Sequence, residues 1–145
     1  MHCNSLLINC MDCRLQGENS IKIANAFGFE PGDYDCLNYA GPPLWMTEPH
    51  EPEHKDTFMW LFEKVSINAH HVTKFGIVGH AECGGFALKG APQVPAEEKA
   101  VIVESLHKAK AKLAKTNPQI QVKLAFVAIG PQPPKGLPEI SVEIL

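Results

Sequence analysis

Four side chains capable of chemistry, Cys10, Asp12, Cys13 and Arg14, follow directly on the apolar run "SLLINC" at residues 5–10. A second apolar run, "FGIVG" at 75–79, ends the same way, in His80 and Cys83 within "GHAECGG". Cysteine thiolates and neutral imidazole are the donors zinc prefers, with bonds of about 2.3 Å to sulfur and about 2.0–2.1 Å to nitrogen. Cys10, His80 and Cys83 together would leave one tetrahedral position for solvent, the arrangement of a catalytic zinc. Cys13 makes a Cys-x-x-Cys pair with Cys10, so a closed structural site of three cysteines and one histidine is the rival reading.

For these groups to meet, two strands 70 positions apart must lie side by side and end together. Open parallel sheets bring ligands to the carboxyl ends of their strands, where the following helices diverge. The remaining elements support such a sheet. "ENSIKIANAF" (18–27) places Ile21, Ala24 and Phe27 at helical spacing before Gly28, a helix stop. A turn at Pro31-Gly32-Asp33 leads into a brief strand at 34–39. "AGPPLWMTEPHEPEHKD" holds four prolines and no periodicity and reads as a long loop. Residues 56–71 follow a helical pattern with Met59, Phe62, Ser66 and Ala69 on one side. The helix of 95–116 opens on Pro95, Glu97 and Glu98 and ends among lysines, matching the helix dipole. A strand at 121–130 follows, then a proline-rich tail with an edge strand at 139–145. Alternating strands and helices predict an α/β fold, a single domain over 1–145 with a mostly parallel central sheet flanked by helices.

The paired motifs resemble those of the β-class carbonic anhydrases. "CMDCR" (10–14) is similar to the family's Cys-x-Asp-x-Arg, and "GHAECGG" (79–85) to its His-x-x-Cys-Gly-Gly. "PGDYDCLNYAG" (31–41) aligns on the family's Gly-Asp segment, followed eight positions later by Ala-Gly. The resemblance covers roughly residues 5–90. It implies a β-carbonic-anhydrase-like fold, Cys10, His80 and Cys83 as ligands of Zn2+, and Asp12 and Arg14 as a catalytic dyad in which the arginine holds the carboxylate. The implied activity is that of a carbonate dehydratase: reversible hydration of CO2 to bicarbonate by a zinc-bound hydroxide that Asp12 orients. It also implies a homodimer or higher homo-oligomer. In a closed state known in the family, the aspartate ligates the zinc itself.

The chain departs from the pattern at Asn38-Tyr39, where the family usually has Arg-Asn, and with nine residues before Cys10 the family's N-terminal arm is expected to be missing. Two other functions are therefore carried: a zinc-binding relative without turnover, structural or bicarbonate-sensing, and a hydrolase of a CO2 analogue such as carbonyl sulfide.

Composition excludes other classes. Thirteen basic against sixteen acidic residues give a net charge of −3, so no strongly basic nucleic-acid surface is expected. No apolar stretch reaches the roughly 20 residues of a membrane span, and no signal peptide is legible, so a cytoplasmic location is expected. Five cysteines read as thiols or ligands rather than a disulfide framework. Among the other candidates, His70-His71 is assigned to the carbonyls at a helix end. His50 and His54 sit in a solvated loop with Glu48, Glu51 and Glu53. Trp45 either covers the cleft or packs. Cys3 reads as a terminal thiol and Cys36 as a half-buried strand residue. The lysines of "HKAKAKLAK" read as the solvated face of a helix. His2 and His107 carry no argument.

Overall fold

A computed structural model describes residues 3–145, so His2 lies outside the described residues. Five strands form one sheet in the order β2-β1-β3-β4-β5: β1 Ser5–Cys10, β2 Tyr34–Tyr39, β3 Lys74–His80, β4 Gln121–Ile129 and β5 Ile140–Ile144. The first four pair in parallel and β5 pairs antiparallel with β4, which agrees with a mostly parallel α/β sheet. All six residues of β1 are buried, and six of the seven in β3. A strand covered on both faces reads as a continuous apolar run, and these two do.

The helices are α1 Glu18–Phe27, α2 Pro42–Thr47, α3 Pro52–Trp60, α4 Gly84–Leu88 and α5 Pro95–Thr116. Two glycines of β3 show how they cover the sheet. A Cβ on Gly76 would meet the Phe27 ring of α1 at 2.7 Å, and one on Gly79 would meet Ile102 Cγ2 of α5 at 2.4 Å. Residues three apart on a strand point to opposite faces, so α1 and α5 cover the two sides. The close approach at Gly79 sets the depth of α5 on the sheet. Gly79→Ala is expected to destabilise the fold by roughly 1–3 kcal/mol through overpacking, a fall in melting temperature of about 3–10 °C for this length. Gly84→Ala, with nothing within 4 Å of the added carbon, serves as the control. Equal melting of the two variants would contradict this account of the α5 contact.

The long loop expected at 40–56 is instead largely helical. Pro42 begins α2 and Pro52 begins α3, where the missing N–H of proline costs nothing and its fixed φ suits the first turn. The helix predicted at 56–71 starts earlier, at Pro52, and from Leu61 to Ala69 it widens into a π-helix. Its buried positions are Phe58, Phe62 and Ser66, spaced by four, while Ala69 is exposed. Phe62 meets Phe75 of β3 edge-on at 5.8 Å, seating the helix on the α5 side of the sheet. In α1 the buried positions are Asn19, Ile23, Ala24 and Phe27, whereas Ile21 is exposed. Gly28 ends the helix in a left-handed conformation, φ 77°. The lysines at 108, 110 and 115 lie on the exposed side of α5, around buried Ala109 and Leu113.

Candidate metal centre

β1 and β3 are hydrogen-bonded neighbours running the same way, so their carboxyl ends deliver Cys10 and His80 to the same edge of the sheet. A short turn then places Cys83 at the start of α4. The ligand atoms of Cys10, His80 and Cys83 all lie within 4.8 Å of one another, and all three residues are buried.

The imidazole is preset for coordination. His80 Nδ1 lies 2.8 Å from the carbonyl of Ala81. A carbonyl can only accept, so Nδ1 carries the proton and Nε2 presents its lone pair. That Nε2 is buried and has no hydrogen-bond partner. A bare buried nitrogen costs a few kcal/mol unless something binds it, and a metal ion facing two sulfurs is a suitable partner. A histidine ligand held through its other nitrogen by a carbonyl is the usual support for such a site.

The thiols agree. A hydrogen bond from Cys83 draws Cys10 well below the ordinary thiol value, against the burial that works the other way. The same bond, together with burial, pushes Cys83 up, while the backbone N–H groups of Phe86 and Gly85 favour its thiolate. The hydrogen bond between the two sulfurs thus favours the thiolate at Cys10 and the thiol at Cys83, and a divalent ion would displace that proton. This donor set of soft sulfur and imidazole fits zinc.

Asp12 caps the 3-10 turn Cys13–Leu15 by accepting from the Arg14 N–H at 2.9 Å. The Arg14 guanidinium grips the same carboxylate with both arms, Nε to Oδ1 at 3.0 Å and Nη2 to Oδ2 at 2.7 Å. These bonds hold the Asp12 carboxyl below its usual range and raise Arg14 further. With both oxygens engaged by Arg14, Asp12 stands outside the Cys-His-Cys group. It nonetheless shares a cleft of about 580 Å³ with Cys10, whose other walls are Met11, Ala40, Gly84, Gly85, Ala87 and Leu88.

Sequence reasoning missed Glu82. Its φ of 57° is left-handed, a conformation that costs a non-glycine residue on the order of 1–2 kcal/mol. Three contacts hold it there. Its N–H donates to buried Glu98 Oε2 at 3.0 Å, its carboxylate takes Arg14 Nη1 at 2.7 Å, and its carbonyl takes Nη2 at 3.3 Å. Arg14 therefore ties the loop after β1 to the loop after β3. Gln16 Nε2 adds bonds to the carbonyls of Cys10 and Asp12 at 2.7 and 3.1 Å, and buried Asn9 accepts from the Cys10 N–H at 2.9 Å. No spacing signals Glu82 or Gln16, because their partners are set by where the loops meet.

Gly85 permits a close approach of two loops: a Cβ there would lie 2.7 Å from the backbone of Ala40 and Gly41. Gly79 instead meets α5, and Gly84 faces open space.

The other candidates are placed as follows, some of them against expectation. Cys13 is exposed on its turn and outside the three-residue group, so the structure does not assemble the four-donor site. His70 reaches the carboxylate of Asp35 rather than helix-end carbonyls, at 2.8 and 2.9 Å. His54 belongs to α3 and stacks on Trp45 at 4.8 Å rather than lying in a solvated loop. Trp45 packs on Tyr39 and donates to the Ala40 carbonyl at 3.0 Å. Cys36 is exposed and Cys3 is buried.

No helix among the described residues is long and apolar enough to cross a membrane. A search of curated proteins finds no match. Among solved structures, the chain is similar to the β-carbonic anhydrase CafA of Aspergillus fumigatus, at 13% identity over 88% of this chain and 72% of that one, with a TM-score of 0.54. It is similar to tetrameric β-carbonic anhydrases of Sordaria macrospora at 13% identity, 88% and 77% coverage and a TM-score of 0.55. To the β-carbonic anhydrase CcaA it is similar at 12% identity, 88% and 76% coverage and a TM-score of 0.58. At such identities the likeness speaks for the fold. The sequence itself matches, over residues 1–131, a family model described as "Putative carbonic anhydrase", and the chain belongs to that family.

Proposed function

We propose that the protein binds one zinc ion through Cys10, His80 and Cys83 and uses it to hydrate carbon dioxide reversibly to bicarbonate. The observation that carries this reading is the buried, unpartnered Nε2 of His80 lying within 4.8 Å of the Cys10 and Cys83 sulfurs. When bound, zinc supplies Lewis acidity and lowers the pKa of water at its open position towards about 7.

The chain's own residues do the rest. Asp12 accepts a hydrogen bond from the attacking water and aims its lone pair at the carbon. Arg14, gripping both carboxylate oxygens, keeps Asp12 ionised and fixed in direction. Asp12 so held would leave a bound zinc to two sulfurs and one nitrogen, the open arrangement that turnover requires. Carbon dioxide is uncharged and has no donor, and the cleft walls of Met11, Ala40, Ala87 and Leu88 suit it.

The rim of that cleft is apolar and uncovered, with Met11 63% and Leu88 80% exposed, which supports a homo-oligomer in which a second copy shields it. The Sordaria relatives are described as tetrameric. Ligation needs free thiols, and all five cysteines are unpaired, which fits the reducing cytoplasm.

One observation favours a second reading, a zinc-binding relative without turnover. The family's usual arginine is replaced, with Asn38 exposed and Tyr39 packed on Trp45 and Phe58. A stopped-flow CO2 hydration assay on zinc-loaded protein decides between them. The expected result is a zinc-dependent rate well above buffer. A stoichiometric zinc protein with no such rate would favour the second reading, and turnover of carbonyl sulfide alone would redirect the substrate.

A further inference from the structure

We propose that Cys3, Asp35 and His70 form a second site for a thiophilic divalent cation, at the end of the sheet opposite the first. Cys3 stands just before β1, Asp35 is the second residue of β2, and His70 closes the helix that begins at Pro52. One ligand atom from each lies within 4.8 Å of the other two. Cys3 and Cys10 are separated by seven positions of extended chain, about 23 Å at the usual strand rise, so the sites share no donor.

The geometry combines three donor types that zinc accepts. His70 Nδ1 lies 2.8 and 2.9 Å from the two oxygens of Asp35, and Ser66 Oγ donates to the same carboxylate at 2.8 Å. The Cys3 N–H donates to the His70 carbonyl at 3.3 Å, fixing the thiol's backbone beside the imidazole. Cys3 is 8% exposed, while the side chains of His70 and Asp35 are 30% and 18% exposed, which leaves an ion a route in from solvent.

Around a tetrahedral ion with bonds of about 2.0–2.3 Å, donors stand roughly 3.3–3.8 Å apart. The imidazole and carboxylate would therefore separate by about half an ångström to admit it. Solvent fills the fourth position. Binding removes the Cys3 proton to solvent and shifts the His70 proton from Nδ1 to Nε2, so the ion takes the place of hydrogen bonds that now hold the three side chains.

A nucleophilic role fits poorly. Burial and the neighbouring Asp35 carboxylate push the Cys3 thiol up, keeping it protonated, and the thiolate is the reactive form. A cluster serving only to pin β2 to the helix already has bonds from Ser66 and His70 to Asp35, to which the Cys3 thiol adds a weak donor and a soft metal ligand.

The test is a cobalt(II) titration followed by absorption, using the Cys10→Ala/Cys83→Ala variant to remove the first site. One equivalent should bind with a near-ultraviolet sulfur-to-cobalt band, and adding Cys3→Ser should abolish that band. With one proton released per ion, affinity should fall about tenfold for each pH unit lowered. Should the double variant not fold, the parent should take up two equivalents of cobalt and Cys3→Ser one. Absence of the band in a folded double variant, or a parent whose uptake Cys3→Ser leaves unchanged, overturns the proposal. Failure of the first site would show separately, as loss of the equivalent that depends on Cys10 and Cys83.

Discussion

His80→Ala is expected to abolish CO2 hydration and to weaken zinc binding at the first site by roughly a hundredfold or more. Apparent zinc free energies of about 10–16 kcal/mol are shared over four positions, so one donor is worth on the order of 3 kcal/mol. His80 is fully buried, and its Nε2 has no other partner that could be lost in the same substitution. Competition with a chromophoric chelator, in a Cys3→Ser background that removes the second site, measures the affinity directly. Cys83→Ser should behave alike, because serine does not provide the thiolate. Cys13→Ser should leave both zinc and rate unchanged, since that thiol is exposed and outside the group. If Cys13→Ser costs as much as Cys83→Ser, the ion has four protein donors and the open position is gone.

How far these features were legible depended on whether the cause was local. β1 and β3 were readable because both their faces are buried, so each is an unbroken apolar run with chemistry at its carboxyl end. α5 was readable because Pro95, the acids of its first turn and Lys115 of its last mark its ends. The proline stretch misled because Pro42 and Pro52 look alike whether they break a helix or begin one. Of the face expected in the helix of 56–71, Phe62 and Ser66 are buried, while Phe58 takes the place of Met59 and Ala69 is exposed where the turns widen. His70 was misassigned because Asp35 lies 35 positions away, a pairing that exists only once β2 and the helix end are adjacent. Glu82 is the same case. Its ion pair with Arg14 joins loops 68 positions apart. Candidate ligands at strand ends can thus be read from the run that precedes them, while the groups that steady them depend on tertiary contact.

The largest separation of chemistry from metal binding is expected in Asp12→Asn. Asparagine keeps the size of aspartate and still caps the turn through its carbonyl oxygen, so the loop after β1 and the three donors should stay in place. What it loses is charge. The amide oxygen is a weaker acceptor for the attacking water, the amide nitrogen can only donate, and the bidentate hold by Arg14 is broken. Correctly placed acid–base and electrostatic groups each contribute about 10²–10⁴-fold, so kcat/KM for CO2 should fall by roughly that factor while zinc content and affinity hold. Arg14→Lys should reproduce part of the loss, because a single ammonium cannot reproduce the two-armed contact to Oδ1 and Oδ2. Glu82→Gln, whose side chain is 75% exposed, should change stability by less than about 1 kcal/mol. Its effect on rate should be the smallest of the three, since Asp12 still holds Arg14. An Asp12→Asn protein with full zinc and the parent's rate would remove the carboxylate from the mechanism and leave the metal centre standing without it.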